Sequence, residues 1–190
     1  MWKGRFKLGT RTEGAKIYSV DISAELLSLA IHAEGEFPSP VFLLCDAHSL
    51  PFANRSFDYV VGNGVLHHLD IGRAFAEIAR VLKPEGKAFF VEPMRHHPVL
   101  RVIRMLTPHS RTPDEKPLTF TDIAQAGNFF YKVTHSEHYL FSVLLGPLGF
   151  LSGRLQQRLV RVFSRLDNVI FRTLPWTRKF AWMTFISLER

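Results

Sequence analysis

Cysteine is almost absent from this 190-residue chain, in which Cys45 is the single one. An internal disulfide is therefore impossible, and the first residues carry no pattern typical of a secretory signal. No stretch reaches the roughly 18 apolar residues that a membrane-spanning helix needs. These absences argue against a disulfide-stapled secreted domain and against an integral membrane protein, and we expect one cytoplasmic domain over residues 1–190.

Glycine is present, but its spacing does not form a nucleotide-binding loop. Gly4, Gly9 and Gly14 are five residues apart, whereas a nicotinamide-binding domain carries G-x-G-x-x-G between its first strand and helix. That loop would precede a strand-end acid such as Asp21 by about 20 residues. Only 14 residues precede Ala15, which is too few for a strand, a loop and a helix. The sequence therefore disfavours a nicotinamide-binding domain.

Acidic residues are scarce in the second half of the chain, and the charge is consequently uneven. Residues 1–95 contain eleven Lys and Arg and eleven Asp and Glu, whereas residues 96–190 contain thirteen basic and six acidic residues. The whole excess of +7 therefore lies after Arg95. Such asymmetry suggests an anionic partner such as a lipid headgroup, a nucleic acid or an acidic substrate. A solvated basic face without a partner explains the pattern equally well.

Strands and helices alternate through the first half of the chain. Four short apolar or β-branched runs have the composition of strands, at 15–22, 41–45, 57–61 and 87–92. Ser23 is placed to cap a helix after the first run. One face of a second helix is marked by Ile71, Phe75, Ile78 and Leu82, and the turn-forming residues 83–86 end that helix. This alternation predicts an α/β fold with a parallel, doubly wound sheet.

The second half has a different pattern. Residues 99–106 predict one helix, and residues 154–171 predict a longer one. Two β-rich runs, 131–139 and 180–188, stand on either side of the apolar residues 139–151 and of that longer helix. We therefore expect an antiparallel edge strand near the C-terminus of an otherwise mostly parallel sheet. The region 98–175 should shape the pocket of a ligand.

Polar or small residues follow three of the predicted strands. Asp21 ends the first, Asp46 and Ala47 follow the second, and Asn63 and Gly64 follow the third. Ligands of open α/β sheets bind beyond the carboxyl ends of the strands. A carboxylate at Asp21 could accept hydrogen bonds from both hydroxyls of a ribose, and Asp46–Ala47 could grip an adenine edge. Each residue alone could equally be a structural cap.

Together these segments resemble one known family. VDIS (20–23), CDAHSLPFANRSFDYVVGNGVLHHL (45–69) and RVLKPEGKAFFVEP (80–93) are similar, in order and spacing, to class I S-adenosylmethionine-dependent methyltransferases, a family that includes enzymes of quinone biosynthesis. The resemblance covers residues 15–93 and extends to 180–188 as the last strand. It implies a Rossmann-like fold, S-adenosyl-L-methionine as cofactor, and transfer of a methyl group to an O, N or C atom of a small acceptor.

The resemblance also implies which residues bind the cofactor. In the family the acid matching Asp21 holds the ribose, the pair matching Asp46–Ala47 contacts the adenine, and the segment matching Asn63–Val65 lines the methionine end. The residues implied to bind S-adenosylmethionine are Asp21, Ile22, Asp46, Ala47, Asn63, Gly64 and Val65. The acceptor is expected to be a small molecule, and no nucleic-acid partner is expected.

One part of the family pattern has no counterpart in this sequence. The family's first strand runs into a glycine-rich loop that approaches the cofactor closely, and residues 1–14 do not reproduce it. We expect an atypical N-terminus over 1–14 that lacks this first strand and loop, a cofactor-binding core over 15–97 and a substrate-side region over 98–190. The departure leaves a second hypothesis, a non-catalytic remnant of the fold without a working cofactor site.

The nine histidines do not predict a metal site. His135 and His138 are three apart on a predicted strand and should point to opposite faces. The side chains of the adjacent pair His67–His68 should diverge. No cysteine or carboxylate cluster completes a zinc-like ligand set, so no metal is expected. His68 is a candidate catalytic base or pocket residue, and a structural role at a helix start is the alternative.

Basic and apolar residues form neighbouring stripes on the longer helix of the second half. The basic stripe is Arg154, Arg158, Arg161 and Arg165, and the apolar one is Leu155, Leu159, Val162 and Leu166. This pattern is typical of a helix on an anionic membrane surface and equally of a helix whose leucines pack on the core. The apolar run 139–151 favours an apolar or lipid-like acceptor and a peripheral contact with an anionic membrane.

Overall fold

The computed structural model describes residues 15–32, 40–107, 115–148 and 153–190. The predictions for residues 1–14, including the missing strand and glycine loop, lie outside the described residues. The chain divides into two compact units, Met1–Pro51 and Phe52–Arg190. The single domain with parts 1–14, 15–97 and 98–190 stays a prediction.

The first unit contains a parallel strand pair and one helix. Its elements are β1 (Tyr18–Asp21), α1 (Ala24–His32) and β2 (Val41–Leu44). The two strands pair in parallel, with Asp21 opposite Leu44. The Ser23 hydroxyl accepts the N–H of Leu26 at 3.2 Å, which confirms the predicted cap of α1.

The second unit contains four further strands and four α-helices among its described residues. These are β3 (Phe57–Asn63), α2 (Ile71–Val81), β4 (Leu82–Pro93), α3 (Pro98–Leu106), α4 (Phe120–Ala124), β5 (Lys132–His138), α5 (Gly153–Thr173) and β6 (Met183–Glu189). Short 3₁₀ turns occur at Leu66–His68, Gln125–Asn128, Ser142–Leu148 and Pro175–Phe180. None of the helices in the described ranges combines the length and the apolarity needed to cross a membrane.

The strand order of the larger sheet is β3-β4-β6-β5. β3 and β4 are parallel, whereas β6 is antiparallel to both of its neighbours. The predicted antiparallel addition is therefore present, but the C-terminal strand is internal, β5 is the edge strand at this end of the sheet, and the sheet of this unit is mixed. The difference in side-chain burial between β6 and β5 explains this order. β6 buries Thr184, Ile186 and Leu188 almost completely, whereas the polar sequence of β5, KVTHSEH, suits an edge.

The core of the second unit joins α2 to this sheet. Its buried members on the helix include Phe75 and Ile78, which confirms the predicted apolar face, and its members on the strands include Ala88, Phe90, Ile186 and Leu188. α2 begins after Asp70, whose carboxylate accepts the N–H of Arg73 at 2.9 Å. The helix is thus capped at one end and buried along one face.

β3 and β4 approach closely at Gly62. A Cβ at this position would lie 2.6 Å from the ring of Phe90, so a larger residue would displace this core side chain. The predicted turn at 83–86 is an irregular segment within β4, where Glu85 has a positive φ of 64°. Because β3 and β4 run in parallel, both end at one edge of the sheet, where candidate site residues follow.

Candidate functional site

Two of the predicted cofactor-binding segments follow β1 and β2 at one edge of the first unit. Asp21 Oδ1 accepts the N–H of Ser23 at 2.8 Å. The carbonyl of Asp21 accepts the N–H of Cys45 at 3.0 Å, which brings Asp46–Ala47 to the same edge. Ile22 is 75% exposed there. The structure therefore brings these four predicted residues together, as expected for the carboxyl ends of parallel strands.

Asp46 is held in a local turn. Its Oδ1 accepts the backbone N–H of His48 at 2.8 Å and lies 2.7 Å from the His48 Nδ1. An Asp that bonds to the backbone two residues later forms an Asx turn. Burial, and to a smaller extent Asp46, raises the pKa of the neighbouring Cys45 thiol. Cys45 is therefore a neutral thiol at pH 7 and is not a candidate nucleophile.

The third predicted segment, Asn63–Val65, begins at the last residue of β3 in the second unit. Gly64 has a φ of 65°, a left-handed conformation that glycine adopts at little cost, and its N–H donates to a β4 carbonyl at 2.8 Å. The carboxylate of Glu92, which is fully buried, accepts the N–H groups of Val65 and Leu66, each at 2.9 Å. Glu92 therefore fixes the backbone of this segment from the neighbouring strand.

His67 and His68 differ in their surroundings. His67 is buried, and its Nδ1 lies 2.8 Å from Glu92 Oε2, whereas His68 is half-buried. The two ring centroids are 4.1 Å apart. The prediction that this pair diverges is therefore wrong, because the 3₁₀ turn and the Glu92 contact orient the ring of His67 beside its neighbour. Glu92 is not among the residues predicted from the sequence, although an acid at the end of the apolar run KAFFVE is a signal for it.

A second buried carboxylate organises the region after residue 97. Asp167 of α5 accepts three consecutive backbone N–H groups, those of Leu140, Phe141 and Ser142, at 3.1, 2.9 and 3.3 Å. It also accepts the Ser142 hydroxyl at 2.7 Å. The Nε2 of His97, at the start of α3, lies 2.9 Å from the carbonyl of Leu140. These bonds tie α3 and α5 to residues 140–142.

His97 is held in its neutral form. The residue is 1% exposed, and burial lowers the pKa of its imidazole, while the bond to the Leu140 carbonyl raises that pKa to a smaller extent. Nδ1 accepts the N–H of Leu100 at 3.3 Å, so Nε2 carries the proton that it donates to Leu140. Both ring nitrogens are therefore used, and the residue is structural.

The described ranges contain no group of three or more His, Cys, Asp or Glu that could hold a metal ion. His135 contacts Glu137 at 2.5 Å, and His138 contacts Ser136 at 3.1 Å. His135 therefore shares one face of β5 with Glu137, and His138 shares the other face with Ser136, because alternate residues of a strand point the same way. This confirms that His135 and His138 point to opposite faces.

Comparison with known proteins places these segments in one family. The model of the methyltransferase domain matches residues 3–90. The demethylmenaquinone methyltransferase of Chlorobaculum tepidum is 40% identical over 82 residues, which are 43% of this chain and 33% of that protein. The 2-phytyl-1,4-naphtoquinone methyltransferase of Trichormus variabilis is 37% identical over 81 residues, which are 40% of this chain and 35% of that protein. Residues 3–90 therefore match a methyltransferase domain, which agrees with the resemblance to class I S-adenosylmethionine-dependent methyltransferases.

The fold agrees with this match. Phosphoethanolamine N-methyltransferase 2 of Haemonchus contortus, in complex with S-adenosyl-L-methionine, superposes with a TM-score of 0.61 at 17% identity, over 92% of this chain and 43% of that chain. This likeness confirms the α/β Rossmann-like fold. The chain spans about a third of the length of the two quinone methyltransferases.

The family match and the predicted site coincide in the first half of the chain. The matched residues 3–90 contain all seven residues predicted to bind the cofactor, together with His68, and they begin within the stretch predicted to be atypical. α3, α5 and β6 lie outside the match. The region that should contact the acceptor is therefore the part for which the family model supplies no counterpart.

Proposed function

We propose that this chain transfers the methyl group of S-adenosylmethionine to a small apolar or lipid-like acceptor. The observation that carries the proposal is the edge of β1 and β2, where Asp21 stands beside Asp46–Ala47. Among the described residues, Asp21 forms its side-chain hydrogen bond through Oδ1 alone, so Oδ2 is available to accept a ribose hydroxyl. A strand-end carboxylate with a spare oxygen fits the nucleoside end of the cofactor.

The remaining predicted residues have complementary roles in this proposal. Asp46–Ala47 contacts the adenine, and Asn63–Val65 lines the methionine end, with Glu92 holding its backbone. S-adenosylmethionine supplies a methyl group already activated by its sulfonium, so the protein contributes mainly by aligning donor and acceptor. His68 is the candidate group for removing a proton from the acceptor.

Direct binding of S-adenosylhomocysteine tests the proposal at its first step. Calorimetry on the 190-residue chain should show saturable binding, and radiolabelled S-adenosylmethionine should then transfer methyl to a naphthoquinol acceptor. The naphthoquinol is chosen because the two quinone methyltransferases are among the relatives that match. A chain that folds but binds no cofactor would support the alternative, a non-catalytic remnant of the fold.

We also propose a peripheral contact between α5 and an anionic membrane. Four apolar residues on the helix are 45–59% exposed: Leu155, Val162, Leu166 and Val169. Their spacing of seven, four and three places them on one face, beside the exposed Arg158, Arg161 and Arg165. Asp167 and Phe171 are buried on another face. Exposed apolar side chains next to arginines suit the boundary between acyl chains and anionic headgroups, which would deliver a lipid-like acceptor.

A further inference from the structure

An open pocket lies where the chain leaves the carboxyl end of β4. Its volume is about 520 Å³, and the residues that line it include Arg95, Arg101, Arg104, Met105, Glu115 and Lys116. All of them belong to the second unit. The backbone N–H of Lys116 donates to the carbonyl of His67 at 2.7 Å. The pocket is therefore next to the turn that follows Asn63–Val65.

The walls of the pocket are anchored to β4. The N–H of Arg95 donates to the carbonyl of Leu118 at 3.0 Å, and the Nε of Arg95 donates to the carbonyl of Pro117 at 3.1 Å. On the other side, Nη1 of Arg104 lies 3.4 Å from the carbonyl of Met94 and 3.3 Å from that of Arg95. α3 and residues 115–118 are thus both fixed to the end of this strand, so the pocket is a built feature of the unit.

The charge of the pocket is unbalanced. Among the lining residues that the structure describes, Arg95, Arg101, Arg104 and Lys116 are cationic, and Glu115 is the single carboxylate. The side chains of Arg101 and Lys116 are exposed and form no hydrogen bond or ion pair within the described part of the chain. Exposed cations without a described partner, as Arg101 and Lys116 are at this pocket, attract an anion. Met105, which is 73% exposed, and the aliphatic stems of the basic residues supply an apolar wall.

We infer that this pocket binds the acidic group, a carboxylate or a phosphate, of an amphipathic acceptor. Guanidinium and ammonium groups donate charge-assisted hydrogen bonds to either type of oxyanion, and the apolar body of the molecule packs against Met105. That the bound molecule is the methyl acceptor rests on the proposed function. The anion site itself is inferred from the pocket alone. It also assigns part of the positive charge after residue 95 to ligand recognition.

Three ligands that share a naphthalene ring and differ in the attached group test the anion site: 1-naphthyl phosphate, 1-naphthoate and the neutral 1-naphthamide. Calorimetry on the full chain without cofactor should show binding of at least one anion, with the amide at least tenfold weaker. Arg101→Gln/Lys116→Gln should weaken the binding of that anion by tenfold or more, because each charge-assisted hydrogen bond contributes about tenfold. Both residues are exposed, so the Tm should not change. Each single variant should lose less affinity for the anion than the double variant does. If the double variant does not fold, the single variants provide the test.

A matched control removes the same charge elsewhere. Arg158→Gln/Arg161→Gln on α5 should leave anion binding unchanged, and Arg101→Gln/Lys116→Gln should leave binding of S-adenosylhomocysteine unchanged. The inference would be overturned if the two double variants lost equal affinity for the anion, or if the amide bound as tightly as the anions. It would also be overturned if Arg101→Gln/Lys116→Gln bound the anion normally and lost only its binding to anionic vesicles. Since no methyl transfer is measured, failure of the proposed function would leave this result intact.

Discussion

The carboxylate of Glu92 lies 2.8 Å from Nδ1 of His67 and links the end of β4 to the turn that follows β3. The same carboxylate accepts the N–H groups of Val65 and Leu66. A fully buried carboxylate is tolerated only when its lone pairs are satisfied, and here one donor, the N–H of Val65, belongs to the segment proposed to line the methionine end of the cofactor. The contact therefore connects the stability of the unit to the shape of its candidate site.

Glu92→Ala should lower the free energy of unfolding by about 3 kcal/mol, because it leaves buried N–H groups without an acceptor. Glu92→Gln keeps one acceptor oxygen, so its loss should be smaller, about 1–2 kcal/mol. Urea denaturation measures both. Asp58→Ala, which removes an exposed carboxylate paired with Lys83, should change the free energy by less than about 1 kcal/mol. If Glu92→Ala lowers the free energy of unfolding as little as this control, the Glu92 carboxylate does not hold the turn after β3.

The buried His97 should make stability depend on pH. Burial lowers the pKa of its imidazole in the folded protein, whereas the unfolded chain has a pKa of about 6.5. The contribution is therefore fully present above pH 6.5 and is lost as the pH falls through the folded pKa. The free energy of unfolding should decrease between pH 7 and 5. His138, whose pKa is also lowered by burial, adds to this slope.

His97→Gln should flatten this pH dependence, because the amide can still donate to the Leu140 carbonyl but does not titrate. Urea denaturation at several pH values compares it with His96→Gln, whose ring is exposed and which should keep the wild-type slope. If the free energy of unfolding of His97→Gln depends on pH as strongly as that of the wild type, another group causes the pH dependence.

Asp21→Asn should weaken the binding of S-adenosylhomocysteine by about 1.5–3 kcal/mol, the scale of a hydrogen bond to a charged acceptor. The amide oxygen can still accept the N–H of Ser23, so the strand end should keep its conformation. Calorimetry compares this variant with Glu25→Gln, which removes the same charge from the exposed first turn of α1. If both variants bind with wild-type affinity, Asp21 is not part of the cofactor site.

The contact between α5 and membranes should depend on anionic lipid and on salt. Cosedimentation with phosphatidylserine vesicles should weaken as salt rises, because exposed charges are screened beyond about 10 Å at 0.1 M. Arg158→Gln/Arg161→Gln should reduce binding by roughly 2 kcal/mol, about 30-fold, at about 1 kcal/mol per arginine. Arg55→Gln/Arg73→Gln, with equal loss of charge on exposed positions, should change it little. Equal partition onto neutral vesicles would refute the electrostatic contact.

The sequence by itself determined the elements and the positions of the strand-end residues. The spacing of Phe75 and Ile78 predicted the buried face of α2, and Ser23 was recognised as the cap of α1. Asp21 and Asp46 were placed at one edge because parallel strands end on the same side. These features depend on periodicity and on contacts between residues a few positions apart, so a linear pattern contains them.

Only the tertiary structure decided the strand order and the buried polar contacts. β6 lies between β4 and β5 because pairing with both strands buries its apolar residues. A local sequence pattern indicates that a strand is buried but not which strands it pairs with. Glu92 and Asp167 each reach donors 25–27 residues away. A buried carboxylate is stable only where the fold supplies its donors, and that supply depends on how distant segments pack.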